Sequence, residues 1–496
     1  MNRLKKFLTL NNIIFVVIIL LGVFFRFYEI KTRFVYGHDH DLTSWFIKDV
    51  VVDGHLRLIG QQTSTSGIFI GPFYYYFQIP FFLLLKMDPI AQVVASSLLG
   101  IFGIVTSYWV FSRVFDKKTG LIASYLCSVS FFVVSNDREA VPTVPVIVWS
   151  IWFFYAISLI SRGEQKKGFL ILGILVGLVW HLNVALVVVL PLALVALFFS
   201  KKKLNLRSLL WGAAPLSLFS IPLVLFELRH NFIQTRSFLY SITTSQGDIY
   251  SGFSKLLRVL YIINKNISNF YWNFNDFAST YYLGLVVFVL AVGFLAFKRY
   301  LKPVETVIMF TWLGVYVGFF SWYSKIVSEY YLNGLFVLYL IVLSRIFVYF
   351  SKKTGNVLLI ILLVVFGTFN ANRFFNEKNP GNGYSQKLDL IEDIKNSARD
   401  KRFDCVSISY ITDTGYSLGY RYFFYLKGVR TSNNKETVPT YTIIFPLGKD
   451  TVKEDKRFGD IGLIYPDFGR FSPEIANEEC RKGDYNVIEP MFGFTK

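Results

Sequence analysis

Long apolar runs separated by short polar loops fill the first three quarters of the chain. Many of these runs are long enough to cross a hydrocarbon layer of roughly 30 Å as helices. They lie at residues 12–28, 89–112, 119–135, 143–160, 168–183, 185–199, 208–228, 277–297, 305–323, 330–350 and 355–370. The pattern therefore predicts a polytopic α-helical membrane protein with about eleven transmembrane helices.

Basic residues gather on one side of these helices when the runs are threaded alternately across the membrane. That side holds residues 3–6, 113–118, 162–167, 201–207, 298–302 and 352–353. Short loops rich in Lys and Arg face the cytoplasm. We therefore expect a multi-pass protein of the plasma (inner) membrane, with a cytoplasmic N-terminus and an extracytoplasmic C-terminal domain.

One further apolar segment comprises residues 71–87. If it crossed the membrane, every later basic loop would lie on the exterior side instead of the cytoplasmic side. Its Tyr and Phe residues are typical of the membrane interface, so we expect it to lie there. Three stretches then face the exterior: residues 29–88, residues 229–276 and the tail from residue 371. The amphipathic run 253–263 predicts either a mobile cover over a binding site or a plain connecting helix.

The composition excludes a soluble globular protein. Of the 496 residues, 53% are hydrophobic and only 17% are charged, and the mean hydropathy is +0.46. The net charge of +18 comes from residues 1–370, which hold 32 Lys and Arg against 15 Asp and Glu, whereas residues 371–496 hold 19 against 18. Because this excess lies in loops that orient the helices, the bilayer is an expected partner and nucleic acid is not.

The chain changes character after the last apolar run. Charges interleave, hydrophobicity falls, and residues 379–383 read as a linker. Helical and strand-like patterns alternate beyond it. We predict a catalytic membrane domain over residues 1–370 and an extracytoplasmic α/β domain over residues 371–496. Cys405 and Cys480 both fall in the second domain, and the sequence leaves open whether they pair.

Two carboxylates, Asp39 and Asp41, stand in the first exterior stretch just before an amphipathic run. One acid is enough to cap the helix that follows, which explains Asp41. A carboxylate held partly out of water at the interface could instead take a proton from a hydroxyl or an amine. On the residues alone, Asp39 could be either a solvated loop residue or a general base. His38 and His40 flank it.

These features together resemble a known superfamily. An acid follows the first span, an amphipathic helix ends at Gly54 fifteen residues after Asp39, and an aromatic interface segment begins at Gly71-Pro72. The combination resembles the GT-C superfamily of polyprenyl-phosphate-sugar-dependent glycosyltransferases, in particular the protein O-mannosyltransferases and lipid A aminoarabinose transferases. Residues 177–181 and 226–230 resemble the fifth and seventh spans of such enzymes.

The resemblance implies transfer of a single sugar, with inversion, from a polyprenyl-phosphate donor to a lipid, glycan or protein acceptor on the outer face. It implies Asp39 as the general base, with Asp41 as the second choice. The donor phosphate would be held by Arg57, Arg138, Arg229 and His230. The substrate pocket would include His38, His40, His181, Tyr74 and Tyr75.

Two features depart from the pattern of that group. The aminoarabinose transferases place a Lys before the Pro of the interface segment, where this chain has Ile70-Gly71-Pro72. The second acid that often follows the third span has no match beyond Asp137 and Glu139. The donor-phosphate contacts and any role of a divalent metal therefore stay open, and no other cofactor is indicated.

A flippase or transporter for lipid-linked glycans is the main alternative function. Transporters carry intramembrane charges and broken helices, and Pro191, Pro215 and Pro222 could break helices here. Charges inside the predicted spans are scarce, however, and no internal repeat is visible. An oligosaccharyltransferase of the same superfamily would carry Trp-Trp-Asp in the exterior domain, and the sequence contains no such motif.

Overall fold

A computed structural model describes residues 10–63, 65–200, 202–243, 248–272, 282–413, 415–448 and 452–483. Some residues that entered the topology prediction lie outside these ranges: Arg3, Lys5, Lys6 and Lys201, and the end of the second exterior stretch at 273–276. The chain forms a helical membrane part followed by a C-terminal α/β region, defined here as residues 384–480.

The apolar runs of the sequence form the helices of the membrane part. These helices are α1 (Leu10–Phe27), α2 (His38–Val51), α3 (Phe73–Leu84), α4 (Ile90–Val114), α5 (Lys117–Val129), α6 (Phe131–Arg138), α7 (Val146–Ser161), α8 (Gln165–Leu182), α9 (Leu192–Phe198), α10 (Leu206–Arg229), α11 (Ile233–Thr243), α12 (Gly252–Tyr271), α13 (Leu283–Phe297), α14 (Pro303–Trp322), α15 (Phe336–Thr354) and α16 (Asn356–Asn376). Short 3₁₀ helices at Val184–Val189 and Glu329–Leu335 precede α9 and α15.

Seven helical segments of the described chain are long and apolar enough to cross a membrane: α1, α4, α8, α10, α14, α16 and the continuous stretch Glu329–Thr354. Helices α5 and α6 qualify together as one span bent by 60°. Three shorter apolar segments, α7, Val184–Phe198 and α13, fall on the remaining predicted runs. The polytopic helical class is confirmed, and the interface segment forms only the 12-residue helix α3, which is too short to span.

A buried ion pair ties α1 to the bent pair α5 and α6. Arg26 donates two hydrogen bonds to Oδ2 of Asp137, at 2.9 Å from Nε and 2.6 Å from Nη2. The same guanidinium donates to the carbonyls of Gly22 and Cys127, at 3.1 Å each. Because both partners are buried and the guanidinium is surrounded by acceptors, this pair is a structural contact rather than part of a transport path.

Helix α12, within residues 229–276, packs one of its faces against the membrane part. That face contacts α6, α13 and α14, and Ile262, Ile263 and Ile267 on it are at most 1% exposed. This packing fits a connecting amphipathic helix, and a movement of 253–263 as a cover over a binding site stays a prediction. Gly247, in the loop before α12, lies outside the described residues.

The C-terminal α/β region is built around a five-stranded sheet. It comprises α17 (Tyr384–Asp400), β1 (Cys405–Thr412), α18 (Arg421–Lys427), β2 (Arg430–Thr431), β3 (Thr440–Phe445), β4 (Lys456–Phe458), β5 (Ile461–Ile464) and α19 (Pro473–Cys480). The strand order is β2-β1-β3-β5-β4, with β1 parallel to β2 and β3 and the other pairs antiparallel. A disulfide between Cys405 and Cys480 joins β1 to α19, which answers the question that the sequence left open.

The C-terminal α/β region shares a hydrophobic core with the first exterior stretch. Phe34 and Tyr36, just before α2, are buried in the same cluster as Tyr384 of α17. The Tyr384 backbone N–H donates to the carbonyl of Phe34 at 2.9 Å, and its hydroxyl donates to the carboxylate of Asp88 at 2.7 Å. Lys387 donates to the carbonyl of Tyr36 at 2.8 Å. These contacts hold the region against the start of α2.

Candidate active site

Asp39 lies in the first turn of α2. The backbone N–H of Gly37 that precedes this helix donates to Nδ1 of His40 at 3.0 Å, so a histidine performs the capping role that the sequence assigned to an acid. An acidic side chain in a first helical turn also interacts favourably with the helix dipole. The Asp39 side chain is nevertheless left exposed to solvent. Helix capping therefore does not account for Asp39.

A buried glutamine orients the Asp39 carboxylate. Nε2 of Gln61 donates to Oδ1 of Asp39 at 3.2 Å. The backbone N–H of Gln61 in turn donates to the hydroxyl of Tyr75 at 3.2 Å, and the Tyr75 ring stacks on Phe46 of α2. Within the described ranges no Lys or Arg forms an ion pair with Asp39. The carboxylate is thus held in place without being neutralised, which suits a proton acceptor.

Asp41 is buried where the C-terminal α/β region meets α2. It is 3% exposed, and its Oδ1 accepts hydrogen bonds from the Tyr422 N–H at 3.0 Å and the Tyr36 hydroxyl at 3.4 Å. Burial raises the pKa of Asp41 to about 6, opposed by the hydrogen bond from Tyr422 and the charge of Lys387. A base covered in this way cannot meet an acceptor, so Asp41 is corrected from a candidate base to a structural residue.

The two histidines beside Asp39 have different surroundings. His40 is buried, and its Nε2 donates to the carbonyl of Glu139 at 2.6 Å, so it is corrected from a pocket residue to a structural one. His38 is exposed at the surface, although its ring is partly surrounded by protein. This partial burial lowers the pKa of His38, the Asp39 carboxylate opposes the shift, and the Arg421 guanidinium adds to it. His38 therefore stays a candidate pocket residue.

An apolar groove of about 330 Å³ opens between α3, α8 and α10. Phe73, Phe219 and Pro222 line it together with Arg57. Only 11% of the apolar window of α10 is buried inside the protein, so this wall of the groove faces lipid. Arg57 at this groove is bonded to Asp49 near the end of α2, and ten residues of the helix, about 15 Å at 1.5 Å per residue, separate Asp49 from Asp39. The cationic edge of the groove and the Asp39 site therefore lie toward opposite ends of α2.

Arg57 is an oriented cation at the edge of this groove. Its Nε donates to Oδ2 of Asp49 at 2.5 Å, and its guanidinium lies 5.8 Å from the ring centre of Phe46. Burial lowers the pKa of Arg57, and Asp49 opposes the shift. Tyr76, which the sequence did not single out, lines the same groove, and its hydroxyl contacts both the backbone N–H and the carbonyl of Arg57 at 2.9 Å.

His181 also lines the groove, and both of its ring nitrogens have backbone partners. Nε2 donates to the carbonyl of Phe219 at 2.9 Å, and Nδ1 accepts from the N–H of Phe73 at 3.3 Å. A Cβ atom added to Gly71 would stand 2.1 Å from Nδ1. The imidazole therefore occupies the space of a side chain before Pro72, and this explains why the position is glycine where the aminoarabinose transferases have Lys.

Arg138 is bonded to the end of α1, its Nη2 has no hydrogen-bond partner among the described residues, and its role at the donor phosphate stays a prediction. Its Nη1 donates to the carbonyls of Phe25 and Tyr28, at 2.9 and 3.0 Å, and its side chain is buried. These carbonyls belong to the last turn of α1 and the residue just after it, where backbone acceptors lack helical partners. Arg138 thus completes the end of the first span.

Arg229 and His230 lie at the end of α10. The Arg229 side chain is exposed, and the His230 ring stacks on Phe226 with centroids 4.2 Å apart. Phe226 contacts Phe69, in the segment between α2 and α3, at 5.7 Å. The pair therefore lies on the helix that forms one wall of the groove, and its role at the donor phosphate stays a prediction.

Tyr74 and Tyr75 are core residues rather than groove residues. The Tyr74 hydroxyl bonds Ser96 of α4 at 2.9 Å, and both tyrosines are at most 1% exposed. Tyr75 is connected to the site through its hydrogen bond with Gln61. Both are therefore corrected from pocket residues to core residues. The turn of α3 directs them into the protein and brings Tyr76 to the groove.

Among the described residues, one group has metal-ligand geometry: Asp49, Asp53 and His55, whose ligand atoms lie within 4.8 Å of one another. Both carboxylates already have cationic partners, since Arg57 binds Asp49 and Lys48 binds Asp53. Along α2 the group lies about 15 Å from the candidate base, at 1.5 Å per residue. It gives no support for a metal at the base, and the role of a divalent ion stays open.

Comparison with known proteins agrees with this architecture. The family model of dolichyl-phosphate-mannose-protein mannosyltransferases matches residues 70–226. A search of curated proteins finds no match. ArnT from Cupriavidus metallidurans bound to undecaprenyl phosphate has a similar fold, with a TM-score of 0.57 and 10% identity over 91% of this chain and 97% of that one.

Two further solved structures are similar to this chain. ArnT from Cupriavidus metallidurans in the apo state gives a TM-score of 0.60 and 11% identity, over 93% of this chain and 98% of that one. The oligosaccharyltransferase of Archaeoglobus fulgidus gives 0.49 and 12% identity, over 87% of this chain and 67% of that one, which is too weak to support an argument. The chain therefore shares the fold of ArnT, and its residues 70–226 are similar to the dolichyl-phosphate-mannose-protein mannosyltransferases.

Proposed function

We propose that this protein is a glycosyltransferase that moves a single sugar from a polyprenyl-phosphate carrier to an acceptor on the outer face of the plasma membrane, with inversion. Asp39 acts as the general base. The observation that carries the proposal is the contact between Gln61 and Asp39, which orients an exposed carboxylate that has no ion-pair partner among the described residues. The acceptor is a lipid, a glycan or a protein.

The groove between α3, α8 and α10 receives the donor. Its apolar walls suit the first isoprene units of a carrier lipid, and one of its walls faces the bilayer. Arg57 at its edge offers a cation to the donor phosphate, and guanidinium groups bind phosphate in a bidentate manner. Arg229 and His230, on the wall helix α10, are further candidates for that contact. The related ArnT structure bound to undecaprenyl phosphate supports a lipid of this kind.

The acceptor, the sugar and the donor phosphate then react in one step. The acceptor hydroxyl or amine approaches Asp39 and loses its proton to the carboxylate as it attacks C1 of the sugar. The bond between C1 and the phosphate oxygen breaks on the opposite face, and the polyprenyl phosphate leaves with both electrons. A cation at the donor site, for which Arg57, Arg229 and His230 are the candidates, stabilises the departing phosphate.

The substitution Asp39→Asn tests the assignment of the base. Asparagine keeps the shape and can still contact Gln61, but it cannot accept the proton. In purified protein in lipid nanodiscs, with radiolabelled polyprenyl-phosphate hexoses and membrane extract as acceptor, transfer should fall about 100-fold or more. Filter binding of the labelled donor should change by less than about twofold, because Asp39 does not contact the phosphate.

Asp53→Asn is the matched control, because Asp53 is an exposed acid just beyond α2 with Lys48 as its partner. Its transfer rate should equal that of the wild type. Wild-type transfer by Asp39→Asn would refute the assignment of the base.

The transporter alternative has less support. The intramembrane charges Arg26 and Asp137 pair with each other, and the family model that matches residues 70–226 describes mannosyltransferases. Pro215 and Pro222 lie within a continuous α10 and do not break it.

A further inference from the structure

Helix α11 folds back from the end of α10 toward the membrane. It begins four residues after Arg229, the last residue of α10. In its middle, the Phe238 ring contacts the ring of Trp180, with centroids 6.0 Å apart. The residue after Trp180 is His181, which binds the carbonyl of Phe219 ten residues before the end of α10. Ten helical residues span about 15 Å, so the middle of α11 lies beside the last turns of a membrane span.

One face of α11 is packed against the protein. Four residues at helical spacing share this face: Gln234, Ser237, Phe238 and Ser241. Oε1 of Gln234 accepts a hydrogen bond from the Phe69 N–H at 2.8 Å. A Cβ atom added to Gly67 would stand 2.2 Å from Oγ of Ser237, so the two backbones are in close contact. These contacts fix which side of α11 faces away from the protein.

The opposite face of α11 is apolar and exposed. Phe232, Leu239 and Tyr240 on this side are between 50% and 69% exposed. Arg236 lies among them and is exposed as well, one turn after Phe232, whose carbonyl accepts its N–H at 2.9 Å. A helix face that meets water is rich in polar residues, whereas apolar side chains around an arginine are typical of a helix at the membrane interface.

This face adjoins a surface of the protein that faces lipid. Only 11% of the apolar window of α10 is buried inside the protein. Leu228, in the last turn of α10, is 60% exposed and lies four residues before Phe232. The apolar face of α11 therefore begins where the lipid-facing side of the span ends, and the same bilayer covers both.

The charge of the segment is of one sign. Residues 228–243 contain Arg229 and Arg236 and no Asp or Glu. The acid just before them, Glu227, caps α11, because its carboxylate accepts the N–H of Gln234 at 3.0 Å. Among the described residues, Arg236 makes no hydrogen bond or ion pair through its side chain. An arginine on an apolar face extends its guanidinium toward the headgroups, where phosphate groups accept its hydrogen bonds.

We propose that α11 is an interfacial helix that binds anionic phospholipid headgroups. Arg236 contacts their phosphate groups, and Phe232, Leu239 and Tyr240 insert beside it into the leaflet in which α10 ends. None of these four residues lines the groove between α3, α8 and α10, so the surface is separate from the proposed donor site. The inference goes beyond the proposed function and does not depend on it.

Lipid quenching in nanodiscs measures this contact on the whole protein. Leu239→Cys carries a bimane label, and Cys127, the remaining thiol, is buried. Nitroxide-labelled phosphatidylglycerol and nitroxide-labelled phosphatidylcholine act as quenchers in separate nanodiscs at equal mole fractions. Half-quenching should need about two- to fivefold less phosphatidylglycerol, because a basic residue near a membrane surface favours anionic lipid by about that factor.

Variants of the labelled protein isolate the contribution of the arginine. Arg236→Gln should make the two lipids equally effective, and phosphatidylcholine should still quench because the apolar face remains. Arg236→Lys should keep part of the preference, because it retains the charge. The matched control Arg470→Gln removes an exposed arginine of the C-terminal α/β region that pairs with Asp467, and it should keep the full preference.

The opposing results are distinct. Equal quenching by the two lipids when Arg236 is present, quenching by neither, or a preference that survives Arg236→Gln would each overturn the inference. Loss of the preference on addition of a small fraction of undecaprenyl phosphate would assign the surface to the donor lipid. Loss on addition of inorganic phosphate would assign it to a soluble anion. Both of these results would overturn the phospholipid assignment, and none of them changes the test of Asp39.

Discussion

The side-chain amide of Gln61 donates a hydrogen bond to Oδ1 of Asp39 at 3.2 Å, across 22 residues of chain. Gln61 is itself 9% exposed and is held through its backbone by the buried Tyr75 hydroxyl. A short relay thus connects the interface helix α3 to the candidate base in α2. Gln61 is a positioning residue, because it acts on the reaction through Asp39.

Removing the Gln61 amide should slow catalysis without weakening donor binding. A hydrogen bond to a charged group contributes roughly 1.5–3 kcal/mol, so Gln61→Leu should lower kcat about 10- to 100-fold. The donor KM should stay within about twofold, because the amide does not reach the groove. Steady-state kinetics with labelled donor measures both parameters. Gln62→Leu, an exposed neighbour, is the matched control and should change neither. Equal effects of the two variants would argue against the relay.

Filling the groove should weaken donor binding selectively. Leu218 lines the groove and is 63% exposed toward lipid, so tryptophan fits there without disturbing a packed core. Part of the volume of about 330 Å³ would be lost to the carrier, and Leu218→Trp should raise the donor KM about tenfold.

The control for the groove lies on the same helix. Leu228 is 60% exposed and does not line the groove, so Leu228→Trp should bind donor normally. A normal donor KM for Leu218→Trp would mean that the carrier lipid binds elsewhere.

Acid should strengthen the contact between the C-terminal α/β region and α2. Burial raises the pKa of Asp41 from 3.8 to about 6, so the folded state favours the protonated form. The stability that Asp41 adds to the folded state is therefore fully present below about pH 4 and is lost as the pH rises through about 6. The shift corresponds to roughly 3 kcal/mol. Lys387 and Arg421 are the cations that face Asp41.

Asp41→Asn removes this titration, so the comparison of the two proteins isolates it. Between pH 7 and pH 4, the free energy of unfolding of the wild type should rise relative to that of Asp41→Asn by about 3 kcal/mol. Hydrogen exchange at residues 419–422 reports the local stability of the contact. If the difference in free energy of unfolding between the two proteins does not change across this range, the pKa of Asp41 is not raised in the folded protein.

The membrane part could be predicted because its determinants are local. A run of apolar residues must form a helix in lipid, where every backbone N–H needs a partner, so each predicted run contains a helix within its described residues. Asp39 could be singled out for a similar reason, because one acid is enough to cap the helix that follows it. The proposed function class rests on the same short motifs.

Other parts of the site depended on contacts between distant segments. The sequence offered Arg138 as a phosphate ligand because it carries a guanidinium group. In the structure that group donates hydrogen bonds to backbone carbonyls at the end of α1, which lack helical partners. In the run Tyr74-Tyr75-Tyr76 the residues are alike. The packing of α3 against α4 buries Tyr74, its packing against α2 buries Tyr75, and Tyr76 is left to line the groove.

The sequence by itself determined the membrane class, the helical runs and the acid at the start of α2, because hydrophobicity and helix capping act over a few residues. Only the tertiary structure decided that Asp41 is buried against Tyr422 and that Gln61 orients Asp39. Those relationships join residues 22 to 381 positions apart. A side chain's burial and its partners are set by segments that meet only after folding, and no local pattern encodes them.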